Sequence, residues 1–220
     1  MTHTSLIFSG GPKPTTATLA AARAIDKVDL IIAADSGLHS ADQLGLKVDL
    51  VIGDFDSVDE TALARATTRG AQTIRHSHDK DFTDLHSAVQ YAADRGSKRI
   101  VVVTGGGGRL DHQLGVVATL FDPRLRTIKV EALWNDSHLF ALQGPTEVSF
   151  NTKIGASIGL QSFSDKSEGI STKGLRWTLK NESLTNHETR GVSNEAVSEE
   201  VSVSIQTGRL LIIHRYGATS

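Results

Sequence analysis

Two aspartates one residue apart, Asp54 and Asp56, stand in Gly53-Asp54-Phe55-Asp56-Ser57, directly after the apolar run Leu50–Ile52. A continuing strand would put both on one face, and a turn could also converge them. Nearby carboxylates repel unless a cation lies between them, and oxygen ligands select Mg²⁺ or Ca²⁺ over softer metals. The same Gly, Asp and Ser also make an ordinary polar turn. A second group is Gly105, Gly106, Gly107 and Gly108, which follow Ile100–Val103 and precede Arg109. Amides in such a loop can approach phosphate oxygens, helped by the helix N-terminus, and the arginine adds a planar donor fork. A tight strand–helix turn needing positive φ is the structural alternative. No Gly-Lys-Ser/Thr follows, so this is not a Walker A loop. A third group is Asp79-Lys80-Asp81-Phe82-Thr83-Asp84. Here Asp81 is a candidate helix cap and Asp84 suits the positive helix end, which leaves Lys80 beside two carboxylates unexplained. His76 and His78 are read as loop residues rather than a metal pair.

Regular elements must position these groups. Leu6–Phe8, Val28–Ala33, Leu50–Ile52 and Ile100–Val103 are continuously apolar, as buried parallel strands are. Between them lie helical candidates at Thr15–Ile25, Thr83–Arg95 and Asp111–Phe121. In the second, Leu85, Ala88, Val89 and Ala92 fall at i, i+3, i+4 and i+7 and make one apolar face. Alternating strands and helices imply an α/β layer on a mostly parallel sheet, which binds ligands beyond the carboxyl ends of its strands. Further on, Glu147–Phe150, Ala156–Leu160, Val201–Ile205 and Leu210–His214 are strand-like without a long helix. They predict a small all-β sandwich or barrel.

Acidic residues mark the same division. Residues 1–143 hold 15 Asp and 2 Glu, whereas 144–220 hold 1 Asp and 7 Glu. Aspartate suits turns, caps and hard-metal sites; glutamate suits solvated surface. Two domains are expected, 1–143 and 144–220, with the boundary near Gln143-Gly144-Pro145. A formal net charge of −2 argues against a general nucleic-acid binder. The absence of cysteine excludes disulfides, thiolate metal sites and cysteine nucleophiles. No stretch approaches the roughly 20 apolar residues of a membrane helix, and Met1–Ser5 lacks a signal-peptide start, so a cytoplasmic protein is expected.

In order, Ala34-Asp35-Ser36-Gly37, Gly53–Ser57, Lys80–Asp84 and Gly108-Arg109-Leu110-Asp111-His112 resemble the signature segments of the thiamine pyrophosphokinase family. The resemblance continues at Thr172-Lys173-Gly174-Leu175-Arg176-Trp177 and Gly191-Val192-Ser193-Asn194-Glu195. The chain departs from the family at Ser36, often Gly, at Val48, often Pro, and at Val116, often Asn. The resemblance implies an α/β nucleotide-binding domain followed by a small β domain, paired as a homodimer. It implies transfer of a pyrophosphoryl group from ATP to the hydroxyl of thiamine, giving thiamine diphosphate and AMP.

On that resemblance Asp54, Asp56 and Asp84 would bind Mg²⁺, with Asp81 and Asp111 completing the acidic cluster and either of them positioning the alcohol or taking its proton. Asp35, Lys80, Thr83, Gly105 to Gly108, Arg109 and His112 would serve the ATP side. Trp177 would offer a flat face to thiamine, and Ser193 and Asn194 hydrogen bonds to its aminopyrimidine edge. From the residues alone Trp177 is equally a core aromatic, and Trp134, outside every matching segment, is assigned to the core or the domain junction. A DxD phosphohydrolase and a non-catalytic thiamine or nucleotide sensor are the competing readings.

Overall fold

A computed structural model describes residues 3–215. The chain divides into two compact units, Met1–Asn135 and Asp136–Ser220. The Gln143–Pro145 segment lies within the second of these.

Among the described residues the first unit contains six strands and five α-helices. The strands are β1 (Thr4–Phe8), β2 (Leu30–Ala34), β3 (Leu50–Gly53), β4 (Gln72–Arg75), β5 (Arg99–Thr104) and β6 (Lys129–Trp134). The helices are α1 (Thr16–Arg23), α2 (Gly37–Gln43), α3 (Glu60–Thr68), α4 (Asp84–Asp94) and α5 (Leu110–Leu120). Every strand pair is parallel and the order is β6-β5-β1-β2-β3-β4. Strands β1, β2, β3 and β4 run outward in one direction, and β5 then returns to the other side of β1. That reversal opens a crevice at the carboxyl ends of β1 and β5, where such sheets bind ligands.

The continuous apolar runs are explained by burial on both faces. Ile100 to Val103 in β5 are fully buried, as are Ile7, Phe8, Ile32 and Val51. Around Leu6, Phe8, Val51, Val101 and Val103 pack Leu19 and Ala22 of α1, Leu38 and Ala41 of α2, and Ala62 and Ala66 of α3. Truncating one such large aliphatic core residue to Ala costs on the order of 2–5 kcal/mol. Glu131 is wholly buried, yet Arg99 grips it with two nitrogens at 3.0 and 2.9 Å and Lys129 reaches it at 2.9 Å. This is how a carboxylate is tolerated between apolar strands.

The second unit is all β, as expected: β7 (Ser137–Gln143), β8 (Thr146–Asn151), β9 (Ser157–Ser162), β10 (Lys166–Lys173), β11 (Glu182–Thr185), β12 (Asn194–Glu195), β13 (Glu200–Ile205) and β14 (Arg209–Arg215). Antiparallel pairing links β12-β9-β14-β7 and, in a second sheet, β11-β10-β13-β8. In β13 Val201, Val203 and Ile205 alternate with outward serines, and together with Phe140, Leu160, Ile170 and Ile212 they fill the core. That alternation is the signature of sheets with one covered face.

Candidate active site

A cavity of about 610 Å³ opens at the carboxyl ends of the parallel strands in the first unit. It is built from the loops after β1, β2, β3, β4 and β5, the first turns of α4 and α5, and the end of β6. It brings together Asp35, Asp54, Asp56, Lys80, Thr83, Asp84, Gly106, Gly107, Arg109 and His112. Of the other expected residues, Gly105, Gly108, Asp81 and Asp111 do not line it.

The two aspartates converge through a turn rather than a continuing strand. Phe55, between them, takes a left-handed φ of 67°, a conformation few non-glycine residues adopt. The Asp56 amide donates to Asp54 Oδ1 at 3.1 Å, and His78 Nδ1 lies 2.9 Å from Asp54 Oδ2 and 3.8 Å from Asp56 Oδ2. His78, read from sequence as an ordinary loop residue, therefore belongs to the acidic group. Ligand atoms of Asp54, Asp56 and His78 all lie within 4.8 Å of one another.

The charges show why a cation suits this place. The Asp56 amide and then His78 hold the Asp54 carboxyl below its usual range. Repulsion from Asp54 pushes Asp56 up, and the hydrogen bond to Asp54 raises His78. Asp35, at φ 49° after β2, accepts a hydrogen bond from Ser57 through Oδ2, while its Oδ1 is buried without a hydrogen-bond partner. An orphaned carboxylate oxygen beside two mutually repelling carboxylates fits a hard divalent ion. Asp84 stands apart from that trio, with its Oδ1 2.6 Å from Lys80 Nζ, and both side chains are largely buried.

One expectation is corrected here. Thr83, not Asp81, caps α4, its Oγ1 accepting from the His86 amide at 3.2 Å; Asp84 is the first-turn acid. The glycine run also has structural work to do. Gly106, Gly107 and Gly108 all have positive φ, at 60°, 75° and 70°. A Cβ on Gly105 would stand 2.2 Å from the Pro12 carbonyl oxygen. Turn geometry thus accounts for the four glycines without excluding anion binding at the start of α5. Just beyond, the Arg109 fork spans Asp111, Nε to Oδ1 at 3.1 Å and Nη2 to Oδ2 at 2.5 Å, holding that carboxyl low.

Sequence reasoning missed the loop Ser9-Gly10-Gly11-Pro12 after β1, although two glycines and a proline directly after an apolar run were a legible turn signal. Ser36 Oγ accepts from the Gly11 amide at 3.3 Å, so the departure from glycine ties the first two loops together. Val116 lines the cavity and Val48 is core. Trp134, assigned from sequence to core or junction, is half-buried and lines the cavity.

In the second unit Trp177 is 58% exposed and is therefore no core aromatic. Asn194 holds its backbone from both sides: Oδ1 accepts from the Trp177 amide at 3.1 Å and Nδ2 donates to its carbonyl at 2.8 Å. Ser193 has φ 60°. The Arg176 guanidinium lies 5.6 Å over the indole and pairs with Glu195 at 2.9 Å.

Comparison with known proteins gives this arrangement a context. Residues 21–132 match the family model of the thiamin pyrophosphokinase catalytic domain, and residues 146–211 match that of the thiamin pyrophosphokinase vitamin B1 binding domain. Thiamine pyrophosphokinase 1 of Oryza sativa subsp. japonica is 31% identical over 72% of this chain, which spans 62% of that relative's length. Thiamine pyrophosphokinase of Bacillus subtilis (strain 168) is 26% identical over 94% of this chain and 96% of its own. A crystal structure of thiamine pyrophosphokinase from Bacillus subtilis superposes with a TM-score of 0.83 at 25% identity, covering 98% of this chain and 100% of that one. The Candida albicans thiamin pyrophosphokinase structure shares the fold with a TM-score of 0.76 at 17% identity, over 97% and 89% of the two chains. With both domain models matched in order along its length, this chain belongs to the thiamin pyrophosphokinase family.

Proposed function

We propose that this protein transfers a pyrophosphoryl group from ATP to the primary hydroxyl of thiamine, releasing AMP and thiamine diphosphate. The observation that carries this reading is the gathering of Asp35, Asp54, Asp56, Lys80, Asp84 and Arg109 around one cavity of a chain that matches both family domains. The thiamine hydroxyl attacks the β-phosphorus and the bond to the α-phosphate oxygen breaks. Such transfers depend chiefly on alignment and charge neutralisation.

In this reading Asp54, Asp56 and, on release from Lys80, Asp84 would hold Mg²⁺, which would neutralise phosphate charge. His78, in contact with the first two, orients their carboxylates. Lys80, Arg109, His112 and the amides of the glycine loop bind phosphate oxygens, and Asp35 and Thr83 complete the ATP side. By the family resemblance Asp81 or Asp111, neither of which lines the cavity here, would position the alcohol or take its proton, and a loose transition state asks little of a general base.

Thiamine binding is proposed for the β domain, residues 144–220, with ATP and Mg²⁺ on 1–143. Trp177 presents its face to the cationic ring system, a contact worth up to about 2 kcal/mol when desolvated. Asn194 has committed both lone pairs of Oδ1, to the Trp177 and Glu195 amides, but keeps one amide N–H for a ligand. Ser193 adds a hydroxyl beside it. Ile154, Trp177, Val192 and Val197 are all at least half exposed, and hydrogen bonds tie Gly155 to Ala196 and Val197 to Gly174. Exposed apolar groups on adjoining segments favour a partner surface, so the proposal includes a homodimer with shared sites. No helix among the described residues is long and apolar enough to cross a membrane. The proposed setting is the cytoplasm.

Incubating the pure protein with ATP, Mg²⁺ and thiamine tests the reading, with AMP and thiamine diphosphate expected in equal amounts. Inorganic phosphate without thiamine diphosphate would point instead to a hydrolase. Binding without products would point to a sensor.

A further inference from the structure

The sequence of chemical characters along the sheet edge extends the functional reading. Carboxylates follow β3 and β2, at Asp54, Asp56 and Asp35. Glycine-rich turns follow the next two strands, β1 and β5, at Ser9–Pro12 and Gly105–Gly108. Trp134 ends β6, the last strand of the first unit in that direction, directly beside β5 and in register with Thr104. Neighbouring strands stand about 4.8 Å apart, so the indole lies roughly 10 Å across the sheet from the β1 turn. Acidic, peptide-amide and aromatic surfaces thus succeed one another along one cavity. A nucleoside triphosphate has the same polarity: metal-bound phosphates, a sugar, then a flat base.

The indole is placed rather than loosely packed. Its Nε1 lies 1.8 Å from where a Cβ on Gly106 would stand, closer than Cδ1 at 2.4 Å or Cε2 at 2.8 Å. The pyrrole edge therefore points at a glycine that could be no other residue, at φ 60°, without displacing the ring. One edge is fixed by the phosphate-side loop while the half-buried ring lines the cavity.

We propose that Trp134 is the platform on which the nucleobase of the triphosphate stacks, and that Gly106 is glycine to let the indole reach that position. The inference rests on the pyrophosphoryl-transfer reading for the identity of its ligand. Base–aromatic stacking tolerates different bases because each has a π face. Trp134 accordingly sets affinity for nucleotides over inorganic polyphosphates more than the choice among bases.

The chain has two tryptophans, so a Trp177→Phe protein carries Trp134 as its single indole reporter. In Mg²⁺ buffer without thiamine, ATP should change Trp134 emission saturably and tripolyphosphate should not. Calorimetry should show Trp134→Phe binding ATP close to wild type, and Trp134→Leu and Trp134→Ala weakened roughly tenfold or more. Tripolyphosphate affinity should change less than about twofold in all three. Gly106→Ala should weaken ATP in the same sense. ATP binding without an emission change, or Trp134→Leu matching Trp134→Phe, overturns the platform while leaving the transfer reading intact. Binding of neither ATP nor tripolyphosphate to the parent protein overturns both. ATP-dependent emission changes, with no thiamine diphosphate formed by the parent protein, sustain the platform and sink the transfer reading.

Discussion

Arg75 clamps Phe55 into the turn between the two aspartates. Its guanidinium carbon lies 4.7 Å from the Phe55 ring centroid, and Nη1 donates to the Asp54 carbonyl at 3.0 Å. The left-handed Phe55 is a conformation that costs on the order of 1–3 kcal/mol unless its surroundings enforce it. Arg75, at the end of β4, supplies that enforcement from a neighbouring strand. Arg75→Leu should therefore lower transfer at least tenfold while changing the unfolding free energy by no more than about 1 kcal/mol. Steady-state kinetics and urea unfolding on the same preparation check this. Unaltered transfer in Arg75→Leu would mean the turn holds its shape unaided.

Asp54→Asn and Asp56→Asn should fold and lose most transfer, because neutral amides cannot balance a cation and phosphates. Without divalent metal, Asp56→Asn should be no less stable than the parent at neutral pH. The sign follows from repulsion. Asp54 raises the Asp56 carboxyl above its unfolded value, so wild-type stability falls as pH rises through the window just above 3.8. Removing the second charge removes that loss. Thermal melts in chelator at pH 3.5 and 7 provide the measurement, and a destabilised Asp56→Asn at pH 7 would contradict it.

Arg109→Lys keeps the charge but loses the fork that spans Asp111, so transfer should drop markedly. The pair is exposed, with 72% and 62% of the side chains open to solvent, so the melting temperature should not move. Full activity in this variant would reduce Arg109 to surface decoration of a turn.

Asp122 anchors the short 3₁₀ turn Pro123–Leu125, accepting from the Arg124 amide at 2.9 Å and from its guanidinium at 3.3 and 2.9 Å. The Arg124 side chain is the main cause holding this carboxyl below its usual range. Its contribution is thus complete above the unfolded value near 3.8 and is lost as pH falls through the folded one. Asp122→Asn keeps a capping oxygen but loses the charge paired with the half-exposed Arg124, so it should cost up to about 1 kcal/mol at pH 7. The gap between variant and parent urea midpoints should narrow as the pH falls below 3.8. A gap independent of pH would mean shape, not charge, is what Asp122 supplies.

A shared-site homodimer predicts complementation. Asp54→Asn and Trp177→Ala chains, each nearly inactive, should regain one good active site when mixed and allowed to exchange. Trp177→Ala alone should weaken thiamine binding far more than ATP binding. No recovery despite demonstrated chain exchange would assign Trp177 and Asp54 of the same chain to one site.

The sequence by itself determined the elements whose burial leaves a pattern. β1, β2, β3 and β5 were legible because helices cover both faces, and α4 because Leu85, Ala88, Val89 and Ala92 share one side. β4 was not legible, since Gln72, Thr73 and Arg75 are exposed and its sequence has no buried run. Nor was β6, whose Lys129 and Glu131 hide a strand that burial of a paired carboxylate makes possible. The acidic motifs and glycine run announced themselves because few structural roles need those types at that spacing. Only the tertiary structure decided which of them share a cavity. Asp54 and His78 meet because β3 and β4 are parallel neighbours, so residues 24 apart leave the sheet at the same edge. Trp134 and Gly106 meet because β6 lies against β5. Local spacing encodes periodicity and turn chemistry; strand order, which sets what converges at the carboxyl edge, depends on pairings between distant segments that no local pattern records.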